Sequence, residues 1–283
     1  MFAKFSRSWS LIKASASVLR SDSELLVFPL LSSVAALLVL ITFVGPVVLL
    51  QGVDPRAAGY EEMSWPMLVW MFGFYLVNYF VIFFFNSALV GAAMIRLDGG
   101  NPSVADGLRI AMSRVGMIFG YAAIAATVGL VLQMVRERSG ALGRWISGLL
   151  GMAWTVATFL VVPVLVSQDI GPIDAVKRSA ELLKKTWGQN LIGTGGIGLV
   201  FGLGIFALAI LGGVLIALAV STGIVSIIVT TIVAFVLALL LLILIQAALQ
   251  GVYAAALYRY ATEGEAGESF DNALVAGAFK VKA

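Results

Sequence analysis

The sequence of 283 residues contains no histidine and no cysteine. The first absence removes imidazole bases and the commonest metal ligand; the second removes thiolate nucleophiles, disulfides and soft metal sites. Charge is also scarce: Asp, Glu, Lys and Arg make up 12% of the chain, against about 25% in soluble domains. Between Lys185 and Arg259, 73 consecutive residues carry no ionisable acid or base of these types. One helical crossing of a bilayer takes about 20 apolar residues. The run is therefore two crossings, joined where Ser221-Thr222-Gly223 interrupts two Ile/Leu/Val-rich stretches.

What fills the chain is apolar, at 61% hydrophobic residues. Charge-free windows mark an all-α polytopic membrane helix bundle of six transmembrane helices, with cores near 26–50, 67–93, 115–135, 146–167, 190–219 and 225–257. The last is too long to stand upright and must tilt or extend past the bilayer near Arg259. These helices form one domain over 1–262, followed by a tail over 263–283. The window Leu25–Val53 is too long for the h-region of a cleavable signal peptide. An even number of crossings puts both termini on one side. That side collects 14 basic residues, against four (Arg56, Arg136, Arg138, Arg144) on the other. The positive-inside rule then makes the termini cytoplasmic, in a prokaryotic inner membrane. Trp65, Trp70, Trp145, Trp187, Tyr253, Tyr258 and Tyr260 fall near the expected interfaces, where amphipathic rings prefer to sit.

Each odd-numbered crossing is preceded by a stretch with helical amphipathic spacing. Before the fifth, Ile173, Val176, Ala180, Leu183 and Trp187 recur at steps of three and four; before the third, Val104, Leu108, Ala111 and Val115 do so. Before the first, Phe5, Trp9, Ile12 and Leu19 keep nearly the same register. Pro102 and Pro172 open the two later stretches, where a first helical residue tolerates proline. The pattern reads as three units, each an amphipathic helix followed by a membrane hairpin. Such helices lie at headgroup level with cations toward anionic lipid. The candidate headgroup contacts are Lys13, Arg109, Arg114, Lys177, Arg178, Lys184 and Lys185.

The stretches GPIDAVKRSAELLKKTWG (171–188), NPSVADGLRIAMSRVG (101–116) and SWSLIKASASVLRSDSELLVFPLLS (8–32) resemble a family of uncharacterised six-helix prokaryotic membrane proteins. The likeness covers nearly the whole chain, including the tail near Phe270-Asp271-Asn272. Residues 171–179 are similar, more loosely, to the membrane domain fused to some glycerophosphodiester phosphodiesterases. That likeness implies a fold and no catalysis, because the phosphodiesterase chemistry belongs to a separate soluble barrel with His and acidic ligands.

Other motifs point to packing rather than chemistry. Gly193-Thr194-Gly195-Gly196-Ile197-Gly198 matches G-x-G-x-x-G, but a dinucleotide site needs a preceding strand and an acid about 20 residues on. Here the motif lies inside a crossing, so Gly195, Gly198 and Gly202 read as helix-packing residues. No ionisable residue lies in a helix core, which argues against ion-coupled transport and voltage sensing. Neutral polar groups remain, and Asn78, Asn86, Gln246 and Gln250 are the candidates for a polar groove. Acids occur only near the helix ends, so no catalytic residue, cofactor or metal site is expected. The basic residues are dispersed among acids, which suits membrane lipids rather than nucleic acid. Two functions follow as expectations. One is a non-catalytic membrane protein that organises lipid or a partner protein at the cytoplasmic face, with Phe270, Leu274, Ala278 and Phe279 as a short apolar-faced tail helix. The alternative is a passive, lipid-handling transporter using the neutral groove.

Overall fold

A computed structural model of the chain describes residues 2–51, 65–138, 140–187 and 194–267. All its regular elements are helical: α1 (Phe2–Ser21), a 3-10 turn (Ser23–Leu26), α2 (Val27–Gln51), α3 (Trp65–Leu97), α4 (Val104–Ser113), α5 (Val115–Arg138), α6 (Gly140–Ala157), α7 (Val161–Ser167), α8 (Pro172–Trp187), α9 (Thr194–Ser221) and α10 (Val225–Glu263). Among the described residues, six segments are long and apolar enough to cross a membrane: Ser23–Val48, Trp65–Leu97, Val115–Arg136, Gly143–Ser167, Phe201–Ser221 and Val225–Glu263. The protein is a multi-pass membrane protein with an all-α fold. Helices α1, α4 and α8 precede the first, third and fifth of these spans.

The chain divides into two compact units. The terminal unit comprises residues 1–26, 94–101 and 186–283; the central unit comprises 27–93 and 102–185.

In the terminal unit, α9 and α10 form an antiparallel hairpin. Its turn closes through Gly223, whose φ of +67° lies in the left-handed region open to glycine. Large apolar side chains such as Phe206, Ile210, Leu237 and Leu241 cover the outside of this hairpin, as hydrocarbon requires. Gly212 lets the Phe235 ring lie directly on the α9 backbone. Helix α10 has 39 residues, about 58 Å at 1.5 Å per residue, well over the roughly 30 Å of a hydrocarbon core. No residue between 225 and 247 is buried, whereas Ala248–Tyr258 is buried at every described position except the exposed Gln250. The surplus length is thus wrapped by protein, not lipid. Part of that wrapping is α1, which packs on α9 and α10 and has Ile12, Ser15, Val18 and Leu19 buried.

In the central unit, small residues bring helices together. A Cβ on Gly107 of α4 would stand 2.7 Å from the Ala88 carbonyl of α3 and 2.5 Å from the Phe28 ring of α2. Only glycine permits that seat. Gly91 of α3 similarly accepts Ile110 of α4. Ser103 and Asp106 start α4 with a reciprocal capping box, each side chain bonding the other's backbone N–H. The fourth span is discontinuous. Pro163 has no N–H to donate toward Phe159, and its ring crowds that turn. The helix accordingly breaks at Thr158–Leu160, between α6 and α7.

Candidate functional site

Several contacts of the central unit converge on the break in the fourth span and the leading half of α8. At the break, the Phe159 N–H turns to the Val156 carbonyl (3.2 Å). That is the acceptor the Leu160 N–H would use in a continuous α-helix. The Leu160 N–H instead donates to the Ser179 hydroxyl of α8, at 3.0 Å. Both residues are buried, at 1% and 0% exposure. Thr158, in the same break, donates to the Trp154 carbonyl at 2.8 Å, and its side chain lies close to the Tyr121 hydroxyl of α5. At the start of α8, Pro172 rests on Gly120 of α5, where a Cβ would stand 2.9 Å from its Cγ. Just before α8, Asp169 forms an ion pair with Arg114, which lies between α4 and α5.

The buried stripe of α8 is Ala175, Ser179, Leu182 and Leu183. Of the stripe expected from hydrophobicity, Leu183 is buried, Val176 and Ala180 are half-buried and Ile173 is 61% exposed, while the Trp187 side chain lies outside the described residues. Lys177 and Lys184 are exposed and Arg178 is half-buried. On the exposed side, Lys177 pairs with Asp174 at 3.1 Å and Arg178 with Glu181 at 3.3 Å. On α4, Arg109 pairs with Asp106 at 3.0 Å. Exposed pairs of this kind contribute little to stability, so they orient the cations without removing the excess of basic residues on α8. The Ser103 hydroxyl and N–H both donate to Asp106 and, with Arg109, hold its carboxyl below the usual range.

The candidate headgroup residues are thus not equivalent. Lys13, Arg109, Lys177 and Lys184 are exposed, Arg178 is half-buried, and Arg114 is 24% exposed and engaged with Asp169. The Lys185 side chain lies outside the described residues, as do the tail positions Phe270, Leu274, Ala278 and Phe279. Of the packing glycines, Gly202 has nothing described within 4 Å of an added Cβ. The surroundings of Gly195 and Gly198 lie outside the described residues.

Of the four groove candidates, Asn78 and Asn86 are half-buried on α3 in the central unit. In the terminal unit, Gln246 is half-buried and Gln250 exposed on α10. None of the four side chains is hydrogen-bonded to another described residue. Among the described residues, a tyrosine of α3 makes a side-chain hydrogen bond to another span, and the tyrosines beside it stack on aromatic neighbours. Tyr75 of α3 donates to the Gln133 side chain of α5 at 2.6 Å. Tyr79 stacks on Phe83, and Phe83 on Tyr121, with centroids 5.7 and 4.5 Å apart. The spacing of Tyr75 and Tyr79, four apart on one face of α3, was the signal that could have singled them out. A shallow apolar depression of about 410 Å³ lies on α6 along Arg144, Trp145, Gly148, Leu149 and Met152, away from all of these groups in sequence.

A second ionic cluster lies in the terminal unit. Arg96 donates to the Ser21 hydroxyl at 3.3 Å and to the Gly100 carbonyl at 3.1 Å. Asp22, 6% exposed, sits at the elbow between α1 and the 3-10 turn. Burial pushes its carboxyl above the usual range against the opposing pull of Arg96; the neighbouring Glu24 adds to the rise, and the Glu24 N–H opposes it.

Residues 66–270 match the profile of a family of unknown function (DUF6159). No curated protein matches the chain.

Proposed function

Because the chain belongs to DUF6159, a family of unknown function, membership brings no activity with it, and we propose a role from surface chemistry. The protein is a non-catalytic component of a prokaryotic inner membrane, with both termini in the cytoplasm. It organises anionic phospholipid around the end of the central unit that carries α4 and α8. The carrying observation is a pairing repeated on the two helices. Met112, 60% exposed, stands three residues from the exposed Arg109, and Ile173, 61% exposed, stands four residues from Lys177. Residues three or four apart share a helix face. A large apolar side chain beside a cation suits the boundary between acyl chains and headgroups. The ratio of 14 basic residues to four supports the cytoplasmic placement of this face. The tail beyond Glu263 is the place for a protein partner.

Lipids that stay with the purified protein through mild detergent extraction test the reading. Mass spectrometry is expected to find anionic phospholipid enriched over its share of the source membrane. The enrichment is expected to fall severalfold in a Lys177→Gln/Arg178→Gln/Lys184→Gln variant. Equal retention by both proteins would remove the basis of the reading.

A second reading, a passive lipid-handling protein, draws support from Asn78, Asn86, Gln246 and Gln250, polar side chains in apolar spans without a described hydrogen bond. Unsatisfied polar groups at membrane depth are costly and seek partners. Lipid exchange between liposomes that drops on Asn86→Leu would favour this reading over the first.

A further inference from the structure

We propose that α8 couples the charge of the membrane surface to the break in the fourth span, so that anionic lipid outside α8 orders the backbone at Thr158–Leu160. The inference rests on the lipid reading of α8 and adds a response inside the bilayer.

Three observations carry it. The first is the orphan donor. At the break the Leu160 N–H makes no hydrogen bond to a carbonyl of its own helix. It is buried, and hydrocarbon supplies no water to replace a lost partner. Its acceptor is the hydroxyl of Ser179, on a different helix and 19 residues on. The break is therefore complete only while α8 is seated.

The second is the seat itself. Ala175, Ser179 and Leu182 are the buried face of α8, and Pro172 against Gly120 and Asp169 against Arg114 hold its leading end. At 100° per residue, Lys177 and Lys184 project from the side opposite Ser179. A lipid that neutralises those lysines does not compete with the buried face. It presses the helix onto its seat, so the seated state binds anionic lipid better than a lifted one.

The third is the second link at the break. The Thr158 side chain lies close to the hydroxyl of Tyr121, one residue after Gly120, which carries Pro172. Movement of the start of α8 therefore reaches the break by two routes, through Ser179 and through α5. A ligand that favours the seated state shifts every equilibrium linked to it. Occupancy of the outer face by anionic headgroups thus tightens the hydrogen bond at Leu160, and a neutral membrane leaves it free to open.

Hydrogen exchange at the Leu160 amide, resolved by fragmentation mass spectrometry, tests this on the full chain in nanodiscs. Discs of phosphatidylcholine alone are compared with discs containing phosphatidylglycerol, and phosphatidylglycerol bound per protein is counted separately. In the native protein, exchange at Leu160 is expected to slow at least fivefold in the anionic discs. Ser179→Ala is expected to exchange at least tenfold faster in both discs and to lose the lipid response. Lys177→Gln/Lys184→Gln leaves the buried seat untouched. It is expected to keep native exchange in phosphatidylcholine and to lose only the response, which keeps the test open if Ser179→Ala fails to fold. Bound phosphatidylglycerol with no change at Leu160 would overturn the coupling and leave the lipid reading standing. No excess of bound phosphatidylglycerol would overturn both.

Discussion

Arg259, near the end of α10, lies 2.9 Å from Asp98 in the turn that follows α3. The approach is an ion contact and not a directed hydrogen bond. The guanidinium side chain is 14% exposed and also meets Glu263, whereas Asp98 is 63% exposed. A mostly buried cation is thus balanced by carboxylates at its open side. Around it, three glycines with positive φ, Gly99, Gly264 and Gly267, turn the chain away from the ends of α3 and α10. Gly267 comes so close to the Leu97 carbonyl that an added Cβ would stand 3.0 Å from it. Removing Asp98 alone leaves the guanidinium short of a partner. Asp98→Ala is therefore expected to destabilise the protein by about 1–3 kcal/mol. Asp98→Ala/Arg259→Met is expected to cost less than the sum of the two single changes. Thermal unfolding in detergent, read as a double-mutant cycle, checks both.

Two glycines of α9 should respond in opposite directions. Gly212 faces the Phe235 ring with no room for a methyl group, so Gly212→Ala must displace α10. Overpacking of this kind costs about 1–3 kcal/mol. Gly202 has no described neighbour within 4 Å, and Gly202→Ala is expected to stabilise the helix by up to about 1 kcal/mol. Unfolding midpoints of the two variants, compared with the native protein, should fall on either side of it.

The elbow at Asp22 should make stability depend on pH. Burial raises the folded-state value of this carboxyl above its ordinary 3.8. Between the two values the folded protein binds more protons than the unfolded chain. Stability accordingly falls as pH rises through that window and then levels off. Asp22→Asn removes this contribution, so its unfolding midpoint is expected to lose that part of the slope above about pH 4. At neutral pH the variant should be at least as stable as the native protein. An identical slope in both proteins would contradict the assignment.

The Tyr75–Gln133 bond joins α3 to α5 inside the membrane. Interhelical hydrogen bonds in this setting average roughly 0.6 kcal/mol, with a maximum near 1.7. Tyr75→Phe is expected to lower stability by an amount in that range without altering helix content. Gln133→Leu in the Tyr75→Phe background should add little. Circular dichroism and unfolding in micelles separate the two effects.

The number of crossings was legible because bilayer thickness dictates it. A charge-free run of about 20 residues has no other common use, and the observed spans end within a few residues of the expected ones over much of the chain. The largest difference among the described residues is in the sixth, expected to end at residue 257 and observed to run to Glu263; the expected start of the fifth, residue 190, lies outside the described residues. The buried side of α8 was harder to read. Hydrophobicity selects Ile173 and Val176, but inside a membrane protein large apolar side chains serve lipid as well as protein. Close helix contacts favour small residues, and Ala175 and Ser179 accordingly share the buried stripe with Leu182 and the expected Leu183. The break at Thr158–Leu160 left one trace, Pro163, within a window that otherwise reads as continuous. Its partner Ser179 left none, because nothing local distinguishes a serine that accepts a distant N–H from one facing water. Arg259 and Asp98 are likewise far apart in sequence and become neighbours only in the fold.

The account stands or falls on whether α4 and α8 gather anionic lipid. The most direct measurement is the composition of the lipid shell around the native protein in nanodiscs of mixed phosphatidylcholine and phosphatidylglycerol, followed as salt is raised. At low salt the shell is expected to be richer in phosphatidylglycerol than the bulk. The excess should shrink as ionic strength screens the cations and be largely lost when Lys177, Arg178 and Lys184 are all replaced by glutamine. A shell with the bulk composition at every salt concentration would contradict it.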